Sequence, residues 1–356
     1  MTLPVVFALV AAFGLTLYVL ADGFDLGIGI LFLLAPRERD RDVMMESVAP
    51  FWDGNETWLV LGGTLLLAAF PAAYYILLPA FYLPVMVMLF ALIMRGVAFE
   101  FRLRAERARR AWDYVFALGS LLATLCQGMI LGAFINGVPV SDGAFAGGAF
   151  SFLTLLGLAC GAGLAGGYAL LGAGWLILKS GGPTQVFARE VGRAALILAL
   201  GAMALVSGWT ALTQPEIAQR WFAWPWLLPQ AFLPLAAAIT GVLIWRKLWD
   251  GGEATIFILG LALFLLGFGG LALSLWPYVV PRHVTVWDGA ADATTLHFIG
   301  IGLAIVLPVI LSYLGFAYWV FRGKTILDGA YGEDASAGPA LAGRRTCSSM
   351  TDLHLS

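Results

Sequence analysis

The sequence predicts an all-α polytopic membrane protein, on the basis of its composition and of apolar stretches that recur along the chain. Of the 356 residues, 61% are hydrophobic and 12% are charged, and the mean hydropathy is +0.89. Crossing a hydrocarbon core of roughly 30 Å takes about 20 apolar residues in a helix. No connecting segment is long enough to form a soluble catalytic domain, so any function is expected to lie in or at the membrane. We expect membrane lipids, and no nucleic acid, among its partners.

The hydropathy pattern predicts about nine transmembrane helices. They cover approximately residues 4–34, 52–70, 75–100, 112–136, 149–178, 190–213, 229–248, 254–276 and 294–321. A faint echo between "YVLADGFDLGIGIL" and "YALLGAGWLIL" suggests two related halves, so we expect two four-helix bundles plus one peripheral helix. These would form a single transmembrane domain over residues 1–330. Residues 331–356 are polar and poor in bulky side chains, which predicts a disordered cytoplasmic tail.

The basic residues predict the orientation of the chain. Lys and Arg cluster after the first, third, fifth, seventh and ninth spans, whereas only Arg220 and Arg282 lie in the loops on the opposite side. Because cytoplasmic loops carry an excess of Lys and Arg, the N-terminus is predicted to lie outside and the C-terminus in the cytoplasm. The same asymmetry favours an odd number of spans.

Two aspartates, Asp22 and Asp25, lie inside the first predicted span. At 100° per residue they share one face with Gly14, Tyr18 and Gly29. Intramembrane carboxylates are costly and usually mark ion or proton paths, which favours a functional role. The alternative is structural, with Asp22 protonated and hydrogen-bonded to a hydroxyl.

A second acidic pair, Asp53 and Glu56, opens the second span at its cytoplasmic boundary. If the first two spans are antiparallel neighbours, Asp53, Asp25 and Asp22 could form a series of carboxylates rising from the cytoplasm. The alternative for Asp53 and Glu56 is helix capping, in which the acids accept bonds from the first free amides.

Arg95 lies near the cytoplasmic end of the third span, in "FALIMRGVAFEFRLR". It could pair with Glu100 or extend towards the basic cytoplasmic surface together with Arg102, and we favour the extended, lipid-contacting arrangement.

Cysteines and histidines are too few and too scattered to suggest a metal or haem site in this chain. Cys126 and Cys160 fall inside spans and are expected to be core residues. Of three histidines, only His297 lies within a predicted span, near its outer end. We therefore expect no cofactor and no metal bound by this chain's own ligands.

Several segments together resemble subunit II of the cytochrome bd-type quinol oxidases. They are "ADGFDLGIGIL", "APFWDGNETWL", "FPAAYY" followed by "FYLP", "RGVAFEFR", "INGVPV" and "VWDGAADATTLHF". Each is modest alone, but their order along nine spans is specific. Spacing and length are most similar to the cyanide-insensitive branch.

The resemblance implies a heterodimer in a bacterial cytoplasmic membrane. Subunit I would carry haem b, haem d and the quinol site, and small single-helix subunits would be further partners. The complex would oxidise quinol near the outer surface and reduce oxygen to water with protons from the cytoplasm.

The resemblance also implies roles for individual residues. Asp25 and Asp53 match the aspartates of the family's proposed proton route, and Asp22 matches the first acid of the same motif. Three residues around Asp53 match the second motif, with roles expected to be structural: Trp52, Gly54 and Asn55.

Two other functions are compatible with the residues alone. In a secondary transporter or ion channel, Asp22 and Asp25 would bind a coupling cation, although the acidic motif occurs in one half of the chain only. In a scaffold subunit, all the acids would be structural.

Overall fold

The computed structural model describes residues 2–105, 107–225 and 227–325, and the predicted tail over residues 331–356 lies outside them. The helices are α1 (Leu3–Phe32), α2 (Glu38–Val48), α3 (Trp52–Ala69), α4 (Pro71–Arg104), α5 (Arg109–Asn136), α6 (Leu155–Lys179), α7 (Gly182–Thr213), α8 (Pro215–Phe222), α9 (Leu227–Asp250), α10 (Glu253–Leu275) and α11 (Ala293–Val320). Two antiparallel hairpins join β1 (Val140–Ser141) to β2 (Ala144–Phe145) and β3 (Tyr278–Val280) to β4 (Val284–Thr285).

The polytopic membrane class is confirmed. Within the described ranges, eight helices are long and apolar enough to cross a membrane, namely α1, α4, α5, α6, α7, α9, α10 and α11. Each of the nine predicted spans overlaps a helix. Eight of these helices are the ones just named, and the ninth is α3, which has 18 residues. Its first turns carry Asp53, Asn55 and Glu56. The count of nine spans therefore stays a prediction.

The connecting segments contain structure that hydropathy alone did not predict. The charged segment after α1 forms α2, which buries Met44, Met45 and Val48 on one side. The segment after α7 forms α8, and the two hairpins are small exceptions to the all-α prediction. Strands of two or three residues carry no periodic signal, which explains why the sequence did not indicate them.

The helices pack in two groups that meet at α6. In the first group, α1 and α4 each pack on α3 and α5. In the second group, α6 and α9 each pack on α7 and α10. Helix α6 also packs on α1 and α5 and thereby joins the groups. Helix α11 lies against α3 and α1 and buries only Leu296 and Leu314.

Glycines allow α1 and α6 to touch backbone to backbone. A Cβ atom added to Gly27 would lie 1.8 Å from the Tyr168 carbonyl oxygen, and one added to Gly172 would lie 2.6 Å from the Gly27 carbonyl carbon. Close approach of this kind is the usual role of small residues between membrane helices. The Gly- and Ala-rich helix α6 is therefore a packing surface for α1.

Ion pairs fasten α2 across the ends of α4 and α5. The buried Arg102 side chain donates to Asp113 at 2.5 Å and to Asp42 at 2.9 Å. Arg109 also bonds Asp42, at 2.6 Å, and Arg41 lies 3.1 Å from Asp113. Several arginines that predict the orientation of the chain therefore also hold this surface together.

Candidate functional site

The candidate site is a group of ionisable side chains enclosed between α1, α3 and α4. Asp22 and Asp25 on α1 are both 0% exposed. Gly14, Tyr18 and Gly29, the other residues of the predicted face, are buried as well. The predicted interior face of α1 is confirmed.

Arg95 on α4 is part of this group, and its predicted extension to the surface is wrong. Its side chain is 0% exposed; Nη1 donates to Asp22 Oδ1 at 2.7 Å, and Nη2 donates to Glu56 Oε1. The predicted pairing with Glu100 is wrong too, because Glu100 accepts a bond from Arg104 at 3.3 Å on the exposed side of the helix. The planar guanidinium fork of Arg95 satisfies both carboxylates at once, which accounts for its position in the interior.

Asn55 on α3 connects Asp25 to a residue near the end of the last helix. Its Nδ2 donates to Asp25 Oδ2 at 2.7 Å and, more weakly, to the Ala21 carbonyl oxygen at 3.4 Å. Its Oδ1 accepts a bond from the Tyr318 hydroxyl at 2.9 Å. Asn55 is 0% exposed, and sequence reasoning did not single out Tyr318.

Asp53 lies apart from the buried acids, at the exposed start of α3. The residue that caps α3 is Phe51, which makes no side-chain capping bond, so the capping alternative for Asp53 is not observed. Glu56 bonds Arg95 and does not cap the helix. Asp53 remains near the positive end of the helix dipole, where a carboxylate is favoured.

The neighbours of Asp53 in the motif have positional roles. The Trp52 ring stacks on Phe99 with centroids 5.1 Å apart and planes at 10°. A Cβ atom on Gly54 would lie 2.6 Å from Leu314 of α11. The motif therefore fixes the start of α3 between α4 and α11.

The buried group carries more acid than base. Asp22, Asp25 and Glu56 face one guanidinium, that of Arg95. Asp22 Oδ2 and Asp25 Oδ1 have no hydrogen-bond partner in the part of the chain that the structure describes. Because uncompensated charge is costly in a low-dielectric interior, a proton retained by one carboxyl stabilises the group. The arrangement can hold an exchangeable proton.

A chain of hydrogen-bonded neutral side chains lies beside this group and extends towards α6. Gln127 Nε2 donates to the Tyr18 hydroxyl oxygen at 2.7 Å, and the Tyr168 hydroxyl donates to Gln127 Oε1 at 2.8 Å. Tyr18 lies one helical turn before Asp22. Three helices therefore contribute to one polar network, which spacing within a single helix could not predict.

The two histidines that the structure describes lie at the surface. Within the described ranges, no three His, Cys, Asp or Glu side chains could together hold a metal ion. His283 lies in the turn between β3 and β4 and is exposed. His297 is also exposed, with Nδ1 2.6 Å from the Ala293 carbonyl oxygen.

Fold and site together define a helical, multi-pass membrane protein with a buried acid and arginine cluster. The model of the cytochrome bd terminal oxidase subunit II family matches residues 3–321. The chain belongs to this family.

Individual relatives agree with this assignment. Over 352 residues the chain is 27% identical to the cytochrome bd-I ubiquinol oxidase subunit 2 of Escherichia coli K12, covering 86% of this chain and 91% of the relative. It is 27% identical over 316 residues to the cytochrome bd ubiquinol oxidase subunit 2 of Bacillus subtilis, with coverages of 85% and 91%. The solved bd oxidase structure from Geobacillus thermodenitrificans has a chain of the same fold, with a TM-score of 0.73, 18% identity, and coverages of 90% and 99%.

The resemblance predicted from the sequence motifs is thereby confirmed. The chain is a subunit of a bd-type terminal oxidase, an oxidoreductase complex that contains haem and a subunit I. The alternative of a secondary transporter or ion channel is not supported.

Proposed function

We propose that this chain is the haem-free subunit of a quinol:oxygen oxidoreductase in a bacterial cytoplasmic membrane. Subunit I holds haem b, haem d and the quinol site, and small single-helix subunits complete the complex. The relatives are ubiquinol oxidase subunits, which supports quinol as the electron donor. The chain crosses the membrane nine times with its N-terminus outside, in line with the distribution of its basic residues.

Within the complex, the chain supplies a proton path from the cytoplasm. The observation that carries this proposal is the buried cluster of three carboxylates around one arginine. The Glu56 side chain, which bonds Arg95, is 25% exposed, whereas the Asp22 side chain is 0% exposed. A series of acids that runs from partial exposure to full burial is the arrangement expected of an intramembrane proton relay.

Each residue has a distinct part in this path. Asp53, exposed at the start of α3, collects protons at the cytoplasmic surface, and Glu56 lies one helical turn further in. Asp22 and Asp25 form the inner relay, while Arg95 holds Asp22 through Nη1 and Glu56 through Nη2.

Replacing Asp25 with Asn tests the path. Asparagine keeps the shape of the side chain but does not exchange a proton, so quinol-driven oxygen consumption by the assembled enzyme should fall on the order of tenfold to a hundredfold. The haem content of the purified complex, measured from its absorption spectrum, should stay unchanged.

Glu100→Gln is the matched control because it removes a carboxylate that lies outside the cluster and is paired with Arg104. It should leave turnover unchanged. Wild-type turnover in Asp25→Asn would rule out the relay, and loss of haem instead would show that the acids are structural, as in the scaffold interpretation.

A further inference from the structure

Helix α11 packs loosely along its length, but its C-terminal end is held firmly. Lys179 at the end of α6 donates to the carbonyl oxygens of Phe321 and Gly323, the latter at 3.2 Å. The Thr325 amide donates back to the Lys179 carbonyl oxygen at 2.8 Å. These bonds tie the segment that directly follows α11 to the end of α6.

This anchoring places the Tyr318 ring between aromatic neighbours. Its ring stacks on Phe51 with centroids 4.6 Å apart and planes at 20°, and it meets the Trp175 ring edge-on at 6.2 Å. The ring is therefore confined, and its hydroxyl reaches inward to Asn55 at 2.9 Å.

The Tyr318 hydroxyl supports one of the two orientations of the Asn55 amide, together with the acceptors on the other side of that amide. The Asn55 NH2 group lies between two acceptors, Asp25 Oδ2 and the Ala21 carbonyl oxygen. Its carbonyl oxygen receives a hydrogen bond from Tyr318. With this bond in place, Asn55 presents a donor to Asp25, which favours the ionised carboxylate. Without the bond, the amide can turn and present its carbonyl oxygen to the protonated carboxyl.

We propose that Tyr318 is a positioning residue for proton release from Asp25, acting through Asn55. The inference rests on the proposed proton path and adds to it a residue on a helix outside the cluster. The charged or titratable groups that face Asp25 are Asp22 on α1, Glu56 on α3, Arg95 on α4 and Tyr318 itself.

Tyr318→Phe in the assembled oxidase tests the proposal, because it removes the hydroxyl and keeps the ring in its stack. Loss of one orienting hydrogen bond should slow turnover roughly threefold to tenfold. The infrared band of the protonated Asp25 carboxyl, identified by its absence in Asp25→Asn, should persist to higher pH. Tyr313→Phe is the matched control, since Tyr313 lies on the same helix and is 65% exposed. It should behave as wild type.

A double substitution tests whether Tyr318 acts through Asn55. In an Asn55→Ala background, Tyr318→Phe should cause no further slowing and no further shift of the carboxyl band. If Tyr318→Phe slowed turnover equally in the wild-type and Asn55→Ala backgrounds, the proposal would be overturned. Wild-type turnover with an unshifted carboxyl band in the single Tyr318→Phe variant would also overturn it, and so would loss of haem from the Tyr318→Phe complex.

The two proposals fail in different ways. Normal turnover in Asp25→Asn would remove the proton path, and the inference with it. If Asp25→Asn slowed turnover but Tyr318→Phe behaved like Tyr313→Phe, only the role of Tyr318 would be overturned.

Discussion

Replacing Arg95 with Met is expected to prevent stable accumulation of the subunit. Among the described residues, the Arg95 guanidinium is the cation that pairs with Asp22 and Glu56, and it is 0% exposed. Removing one partner of a buried ion pair leaves an uncompensated charge and typically costs about 3–5 kcal/mol. Because folding free energies are about 5–15 kcal/mol in total, the loss should be visible as a reduced amount of subunit in the membrane and as a lower Tm of the complex.

Two further variants show whether the uncompensated charge causes the loss of stability. Arg95→Lys keeps the charge but not the planar fork that spans Asp22 and Glu56, so it should restore stability only in part. Combining Arg95→Met with Asp22→Asn and Glu56→Gln removes the uncompensated charge and should restore accumulation. Arg104→Met is the control at a side chain that is 82% exposed. Full accumulation of the Arg95→Met subunit would contradict the account of the cluster.

Replacing Gly27 with Val is expected to separate α1 from α6 and to destabilise the whole subunit. The new Cβ would lie 1.8 Å from the Tyr168 carbonyl oxygen, and main-chain atoms on both sides cannot move independently. Overpacking typically costs about 1–3 kcal/mol and more where the backbone must shift, so we expect about 3 kcal/mol or more. The measurement is the Tm of the purified complex together with its haem content.

Gly201→Val on α7 is the control for this change. A Cβ atom on Gly201 meets nothing within 4 Å, so the substitution should alter the Tm only slightly. If Gly27→Val lowered the Tm no more than Gly201→Val, close contact between α1 and α6 could not be what holds the two helix groups together.

The sequence predicted those features that depend on a single helix. Hydropathy located the nine helices of 18 or more residues within the described ranges, and spacing at 100° per residue placed Asp22 and Asp25 on one interior face. The family followed from the order of short motifs such as "ADGFDLG" and "WDGNE". These signals are local, so they do not require knowledge of which helices are neighbours.

The sequence did not predict contacts between helices that are far apart in the chain. Arg95 pairs with Asp22, 73 positions away, and Tyr318 bonds Asn55 over 263 positions. An arginine near a membrane boundary is compatible with extension to the surface as well as with burial, and only the packing of α4 on α1 and α3 distinguishes the two. A count of intramembrane charges would have favoured burial, since acids in the first two spans needed a cation.

Proton uptake during a single turnover tests the central claim most directly. The fully reduced complex would be mixed with oxygen in the presence of a pH-indicator dye, with Asp25→Asn compared against wild type and the Glu100→Gln control. If protons pass through the buried acids, Asp25→Asn should bind oxygen normally while taking up protons on the order of tenfold or more slowly. Proton uptake at the wild-type rate in that variant would contradict the claim.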